Sequence, residues 1–176
     1  MKKFGIVAMV MVLAVSLSAA PVVASEFKSW RTGTGVVVQD AGNAYLQQGR
    51  ARILEPGALH ALLFKDTDPS NDPLILDVRF GTDFDGPLGH IPGAIWIADF
   101  NKMAEPENLD ALDAALAAHI LATGNDDIVV YCHLGQMSGL ITGVLGSIGY
   151  DVKTLKLGYN MGWLPFVSGT GGMGGM

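Results

Sequence analysis

The chain of 176 residues contains one cysteine, Cys132. It directly follows the apolar, β-branched run Ile128-Val129-Val130-Tyr131 and precedes His133-Leu134-Gly135-Gln136-Met137, which leads to Ser138. A thiol placed where a strand gives way to a loop and then a helix has chemistry open to it. Loop N–H groups can wrap around the sulfur, and a helix N-terminus adds partial positive charge; both favour thiolate over thiol. Gly135 permits the unusual backbone angles that such a cradle demands. The product would be a nucleophile with its anion-stabilising pocket already built. The competing reading is a small buried hydrophobe, the commoner role of a lone cysteine at the end of an apolar strand. His133 would promote ionisation further if its protonated ring faced the sulfur, and would do nothing if it turned away.

The elements that must position this loop read as alternating strands and helices. Arg52-Ile53-Leu54 fits a short strand, and Glu55-Pro56 opens a helix through Ala58, Leu59, Leu62 and Leu63. Leu74-Ile75-Leu76, set between Asn71-Asp72-Pro73 and Asp77, has the uniform apolarity of a buried parallel strand. Gly81 to Pro87 carries turn chemistry, and Ala94 to Ile97 predicts another strand. Leu109, Leu112, Leu116 and Ile120 recur at helical spacing, with Gly124 just past the end. After the strand at Ile128–Tyr131, a helix is predicted to begin near Ser138 and to end at Gly149. Val152 to Leu157 predicts a last strand, and Gly158 to Phe166 a final helix. No internal repeat is present. The pattern predicts an α/β domain of about five parallel strands, joined by right-handed crossovers, with helices on both faces. Ligand sites in such sheets lie beyond the carboxyl ends of the strands, where Cys132 falls. Gly139, Gly143 and Gly146 are read as close packing of their helix on the sheet, since the segment is too short to span a bilayer.

Composition narrows the classes further. With 49% apolar and 16% charged residues, the chain is no disordered tail. A pI near 5.0 without a basic stretch argues against nucleic acid as a partner. A lone cysteine forms no internal disulfide, and no Cys/His group has zinc-finger spacing. Residues 1–24 have the layout of a signal peptide: Lys2 and Lys3, an apolar run from Phe4 to Ala20, then Val22-Val23-Ala24 before Ser25. A retained anchor is the alternative; Ser16, Ser18 and Pro21 favour cleavage, after which no stable membrane span would remain. Cleavage removes two basic residues and no acid, taking the net charge from −6 to −8. The expected destination is the bacterial periplasm, where a lone cysteine is either buried and inert or a reactive thiol. Residues 25–51 are read as an N-terminal extension, polar and Gly-rich apart from Val36 to Val38, residues 52–168 as the functional domain, and residues 169–176 as a flexible Gly/Met tail.

Four segments carry a family resemblance. Cys132-His133-Leu134-Gly135-Gln136-Met137-Ser138-Gly139 resembles the active-site loop of rhodanese-type sulfurtransferases. Leu76-Asp77-Val78-Arg79 resembles the family's strand ending in Asp-Val-Arg, and Gly89-His90-Ile91-Pro92-Gly93-Ala94 its Gly-His-Ile-Pro-Gly-Ala segment. Gly149-Tyr150-Asp151-Val152, with Leu157-Gly158-Tyr159 and Trp163, is similar to its closing pattern. The resemblance covers residues 52–166 and implies a rhodanese-like domain acting through a Cys132 persulfide. Sulfane sulfur would arrive from thiosulfate or a persulfide and leave to cyanide, a thiol or a protein acceptor, with no metal or organic cofactor. Cys132 would be catalytic, and His133, Leu134, Gly135, Gln136, Met137 and Ser138 would form the substrate-binding loop. Asp77 and Arg79 are expected to brace the rim, and His90 to play a structural part. Many members carry arginine where this chain has Met137, so thiosulfate should bind poorly; Arg79 would compensate only if free of an ion pair. Two rivals stand beside the enzyme. One is a non-catalytic rhodanese-like sulfur carrier or partner-binding module. The other, a dual-specificity phosphatase, requires a longer loop ending in arginine, which this chain lacks.

Overall fold

Residues 34–47 and 52–169 are described by the computed structural model. Residues 1–24, where a signal peptide is expected, the rest of the expected N-terminal extension and the residues from 170 onward lie outside the described residues. The chain divides after Asp40, and residues 41–176 make up the unit that holds the sheet. Of residues 1–40, only 34–40 are described, as the start of helix α1 (Thr34–Gln47).

Five strands follow: β1 (Ile53–Leu54), β2 (Leu74–Asp77), β3 (Ile95–Trp96), β4 (Ile128–Tyr131) and β5 (Val152–Leu155). All pairings are parallel, in the order β1-β5-β4-β2-β3. Between them run α2 (Pro56–Phe64), a 3₁₀ turn (Pro69–Asn71), α3 (Gly81–Phe84), α4 (Pro106–Thr123) and α5 (Gln136–Ser147). A π-helical turn (Gly158–Trp163) leads into α6 (Leu164–Val167).

The central strands β2 and β4 are buried at every position. Alternation along them therefore feeds two cores rather than one core and solvent. On one face Leu74, Leu76, Ile128 and Val130 meet Leu112 of α4 with Ile141 and Leu145 of α5. On the other, Ile75, Val129 and Tyr131 meet Leu59 of α2 with Tyr159 and Trp163 of the π turn. The α/β architecture with helices on both faces follows directly from this double burial.

Local differences from the sequence reading have simple causes. Helix α5 starts at Gln136, two residues before Ser138, because Gly135 sits in the left-handed region at φ 94° and caps it there. The stretch at Gly81 holds one helical turn, and β5 stops at Leu155, where Leu157 turns left-handed at φ 59°. In the extension, Thr34–Gln47 is helical despite Val36 to Val38, whose penalty in a helix is only tenths of a kcal/mol per residue, about 0.7 at most. The expectation that three glycines press α5 onto the sheet is corrected. A β-carbon on Gly139 or Gly143 would meet nothing within 4 Å, whereas one on Gly146 would fall 2.0 Å from the ring of Tyr45 in α1. Helix α1, not the sheet, is what needs Gly146 bare.

Candidate active site

Chain order and sheet order diverge at the centre of the sheet. From β2 the chain moves outward to β3, and from β4 it moves the other way to β5, so β2 and β4 flank the topological switch point. Their ends are in register, Asp77 opposite Tyr131, and the Val78 N–H still donates to the Tyr131 carbonyl at 3.0 Å. Val78-Arg79 and Cys132-His133 thus leave adjacent strands side by side. A crevice at this position is where parallel sheets bind ligands.

Cys132 is 5% exposed. Its Sγ accepts the N–H groups of Gly135 at 3.2 Å and of Ser138 at 3.4 Å. Gln136 and Met137, the first residues of α5, have N–H groups with no acceptor inside the helix. The loop is held from behind. Ser138, fully buried, donates through its hydroxyl to the Gly135 carbonyl at 3.1 Å and lies 2.7 Å from the Thr154 hydroxyl of β5. The N–H groups of Tyr159 and Asn160 donate to the carbonyls of Cys132 (2.8 Å) and His133 (2.9 Å). Gly158 is what allows this approach, since a β-carbon there would lie 2.4 Å from the Cys132 carbonyl oxygen and 2.7 Å from the Gly135 nitrogen.

Asp77 and Arg79 form a buried ion pair beneath the rim. Arg79 Nε reaches both carboxylate oxygens at 3.1 and 3.0 Å, and Nη2 reaches Oδ2 at 2.6 Å. Nη2 also donates to the Gly89 carbonyl at 2.8 Å, and the guanidinium lies over the Tyr159 ring at 4.2 Å. Burial works against the charge, but Asp77 outweighs it and Arg79 ends above its usual pKa. Burial, with Asp77 nearby, also pushes the Tyr131 phenol far above its usual range, and its neutral oxygen accepts the Ile91 N–H at 3.2 Å. His90 stacks on Phe84 at 3.9 Å and bonds the Phe84 carbonyl through Nδ1 at 3.0 Å. His133 turns its Nε2 to the Asp83 carboxylate of α3 at 3.2 Å.

Cys132 opens onto a depression of about 200 Å³. Val78, Phe80, Phe100, Leu134 and Met137 supply its apolar walls, with Gln136 and His133 on the rim. Loop residues 132–138 therefore gather at one place, whereas His90 belongs to the segment bracing α3. Sequence reasoning missed the backbone clamp from Tyr159 and Asn160, the Thr154 contact, and the walls at Phe80 and Phe100. The clamp had a trace in Leu157-Gly158-Tyr159; the phenylalanines had none, because nothing in their spacing aims them at the cysteine.

The family model described as the Rhodanese-like domain matches residues 55–163, more than half of the chain. The chain belongs to the rhodanese-like domain family. Among solved structures, this rhodanese-like chain is similar to a Saccharomyces cerevisiae protein described as a homolog of single-domain rhodanese and the Cdc25 phosphatase catalytic domain. Identity is 22%, the match covers 69% of this chain and 84% of that one, and the TM-score is 0.51, a likeness of fold. A rhodanese-like domain protein from Staphylococcus aureus matches at 20% identity over 64% of this chain and 90% of that one, TM-score 0.47. A Rhodopseudomonas palustris protein described as a possible tyrosine phosphatase matches at 18% over 78% and 92%, TM-score 0.48. Comparison with curated protein sequences gives no match.

Proposed function

We propose that this rhodanese-like chain is a sulfurtransferase that carries sulfane sulfur on Cys132. The observation that carries the reading is the convergence of the Gly135 and Ser138 N–H groups on Sγ at the mouth of the sheet. Donors so placed favour an anion on sulfur both before and after transfer. In the first step the Cys132 thiolate attacks the outer sulfur of a donor; an S–S bond forms as the bond from that sulfur to the rest of the donor breaks, and the remainder leaves with the electron pair. In the second, an acceptor thiolate or cyanide attacks the outer sulfur of the Cys132 persulfide and the thiolate is released, a two-step displacement.

Met137 is exposed at the position where many members have arginine, and Arg79 is spent on Asp77 and Gly89. A persulfide or a protein thiol is thus a better partner than thiosulfate, which requires charge-assisted contacts. The phosphatase named for a structural neighbour is disfavoured for the same reason, since residues 133–138 include no arginine to hold phosphate. A non-catalytic sulfur carrier is the second reading, and Met137 is what favours it. Export of the chain to the periplasm through residues 1–24 belongs to the same proposal.

The test is mass spectrometry of the purified protein after exposure to thiosulfate and to glutathione persulfide, followed by cyanide or a thiol. A gain of one sulfur at Cys132, lost on adding acceptor and absent in Cys132→Ser, is expected. Sulfur gained but never passed on would indicate the carrier, and no gain would remove the reading. Met137→Arg should lower the thiosulfate KM; an unchanged KM would count against the role given to this position.

A further inference from the structure

The groups that face the Cys132 depression divide sharply. Its charged side chains are committed elsewhere, Arg79 to Asp77 and the Gly89 carbonyl and His133 to Asp83, which leaves the neutral Gln136 amide and the loop N–H groups as its polar contacts. Its walls, Val78, Phe80, Phe100, Leu134 and Met137, are apolar. Phe80, Leu134 and Met137 are 52%, 41% and 42% exposed, so a large part of these walls meets water in the free protein. An apolar cavity of about 150 Å³ is enough to hold a benzene ring; the depression here measures about 200 Å³. A small oxyanion bound in this place would meet the loop N–H groups but no unpaired cationic side chain, and would gain nothing from the apolar walls to offset its lost water, in a chain of net charge −6.

We infer that the sulfur donor of this site is an organic sulfane-sulfur compound whose leaving group carries an apolar substituent about the size of a phenyl ring. The inference rests on the sulfurtransferase reading and narrows it. The substituent fills the space between Phe80, Phe100, Leu134 and Met137, displacing water from their exposed surface. The sulfane sulfur then lies towards Sγ and the N–H groups of the loop. With an arylthiosulfonate as probe, the Cys132 thiolate attacks the terminal sulfur. The new S–S bond forms as the bond between that sulfur and the sulfonyl group breaks. The electron pair leaves with the arylsulfinate, giving two negative charges before and two after, with no external oxidant or reductant.

The experiment compares benzenethiosulfonate, methanethiosulfonate and inorganic thiosulfate on the full chain. The rate of sulfur gain at Cys132 is followed by quenched-flow mass spectrometry. Each rate is divided by that of a small free thiol with the same donor, which removes differences in leaving-group reactivity. The normalised rate with the phenyl donor should exceed that with the methyl donor by about tenfold or more, as one apolar group in a fitted pocket provides. Thiosulfate should be slowest. Phe80→Ala should erode the phenyl preference, and Met137→Arg should shift preference towards thiosulfate. Equal normalised rates for phenyl and methyl donors, or thiosulfate fastest, would overturn the inference while leaving the sulfurtransferase reading intact. No sulfur gain from any of the three, in protein whose Cys132 is labelled by iodoacetamide, would overturn both.

Discussion

At the scale of single residues, the cysteine loop depends on atoms outside it. Gly158 has left-handed φ (60°), and its bare α-carbon lies against the carbonyl of Cys132. Gly158→Ala would force that backbone apart and misplace the two N–H groups on Sγ. Sulfur gain at Cys132 should fall by about 100-fold, the cost of a misplacement near 1 Å, with a stability loss of about 1–3 kcal/mol. Rate measurements beside urea denaturation separate the two effects. Arg79 makes a second case. Removing it leaves the Asp77 carboxylate, 0% exposed, without its ion-pair partner. Arg79→Ala should cost about 3–5 kcal/mol in urea unfolding. If Arg79 held the donor instead, Arg79→Lys would raise the KM and leave stability unmoved.

At the scale of elements, α1 and α5 are tied through one side chain. Tyr45 is 4% exposed, its hydroxyl donates to the Val152 carbonyl of β5 at 3.1 Å, and Arg52 stacks on its ring at 4.2 Å. Its ring occupies the space left by the missing β-carbon of Gly146. Gly146→Ala should destabilise by about 1–3 kcal/mol through overpacking, and Tyr45→Phe by about 1 kcal/mol for the lost hydrogen bond. Combined with Tyr45→Ala, Gly146→Ala should cost much less than it does alone, because the ring it strikes is gone. Unfolding midpoints of the four proteins in that double-mutant cycle check the coupling.

For the molecule as a whole, the phenols set an alkaline limit. Burial raises the pKa of Tyr45, Tyr131, Tyr150 and Tyr159 above the usual 10.0. Tyr150 reaches about 12, through burial and then its bond to Asp113 at 2.6 Å. Each folded phenol holds its proton more tightly than the unfolded one does. The associated stability is therefore complete below about pH 10 and is lost as pH rises through the folded values. Urea midpoints should hold steady from about pH 7 to 9 and then fall, with a shallower fall in Tyr150→Phe.

How much was legible in advance follows the same physics. The apolar runs at residues 74–76 and 128–131 announced buried parallel strands, because burial on both faces leaves no alternation to hide. The Pro, Gly and periodic leucines of α2 and α4 marked helices of the expected type. Residues 132–138 stood out because a cysteine, a glycine and a helix start fell in one short stretch, so the N–H groups around the sulfur were readable as a local feature. Helix α1 was not readable, since residues 34–47 carry no strong helical pattern, and its contact through Tyr45 is with Gly146, about a hundred positions away in the chain. Neither was the use of Arg79, whose side chain is claimed by Asp77 and by the distant Gly89 carbonyl, nor the aim of Phe80 and Phe100. Short-range pattern fixes the element type where its signals lie within one element, as in β2, β4, α2 and α4. Which side chains meet across elements depends on the sheet order, and only the folded chain decides it.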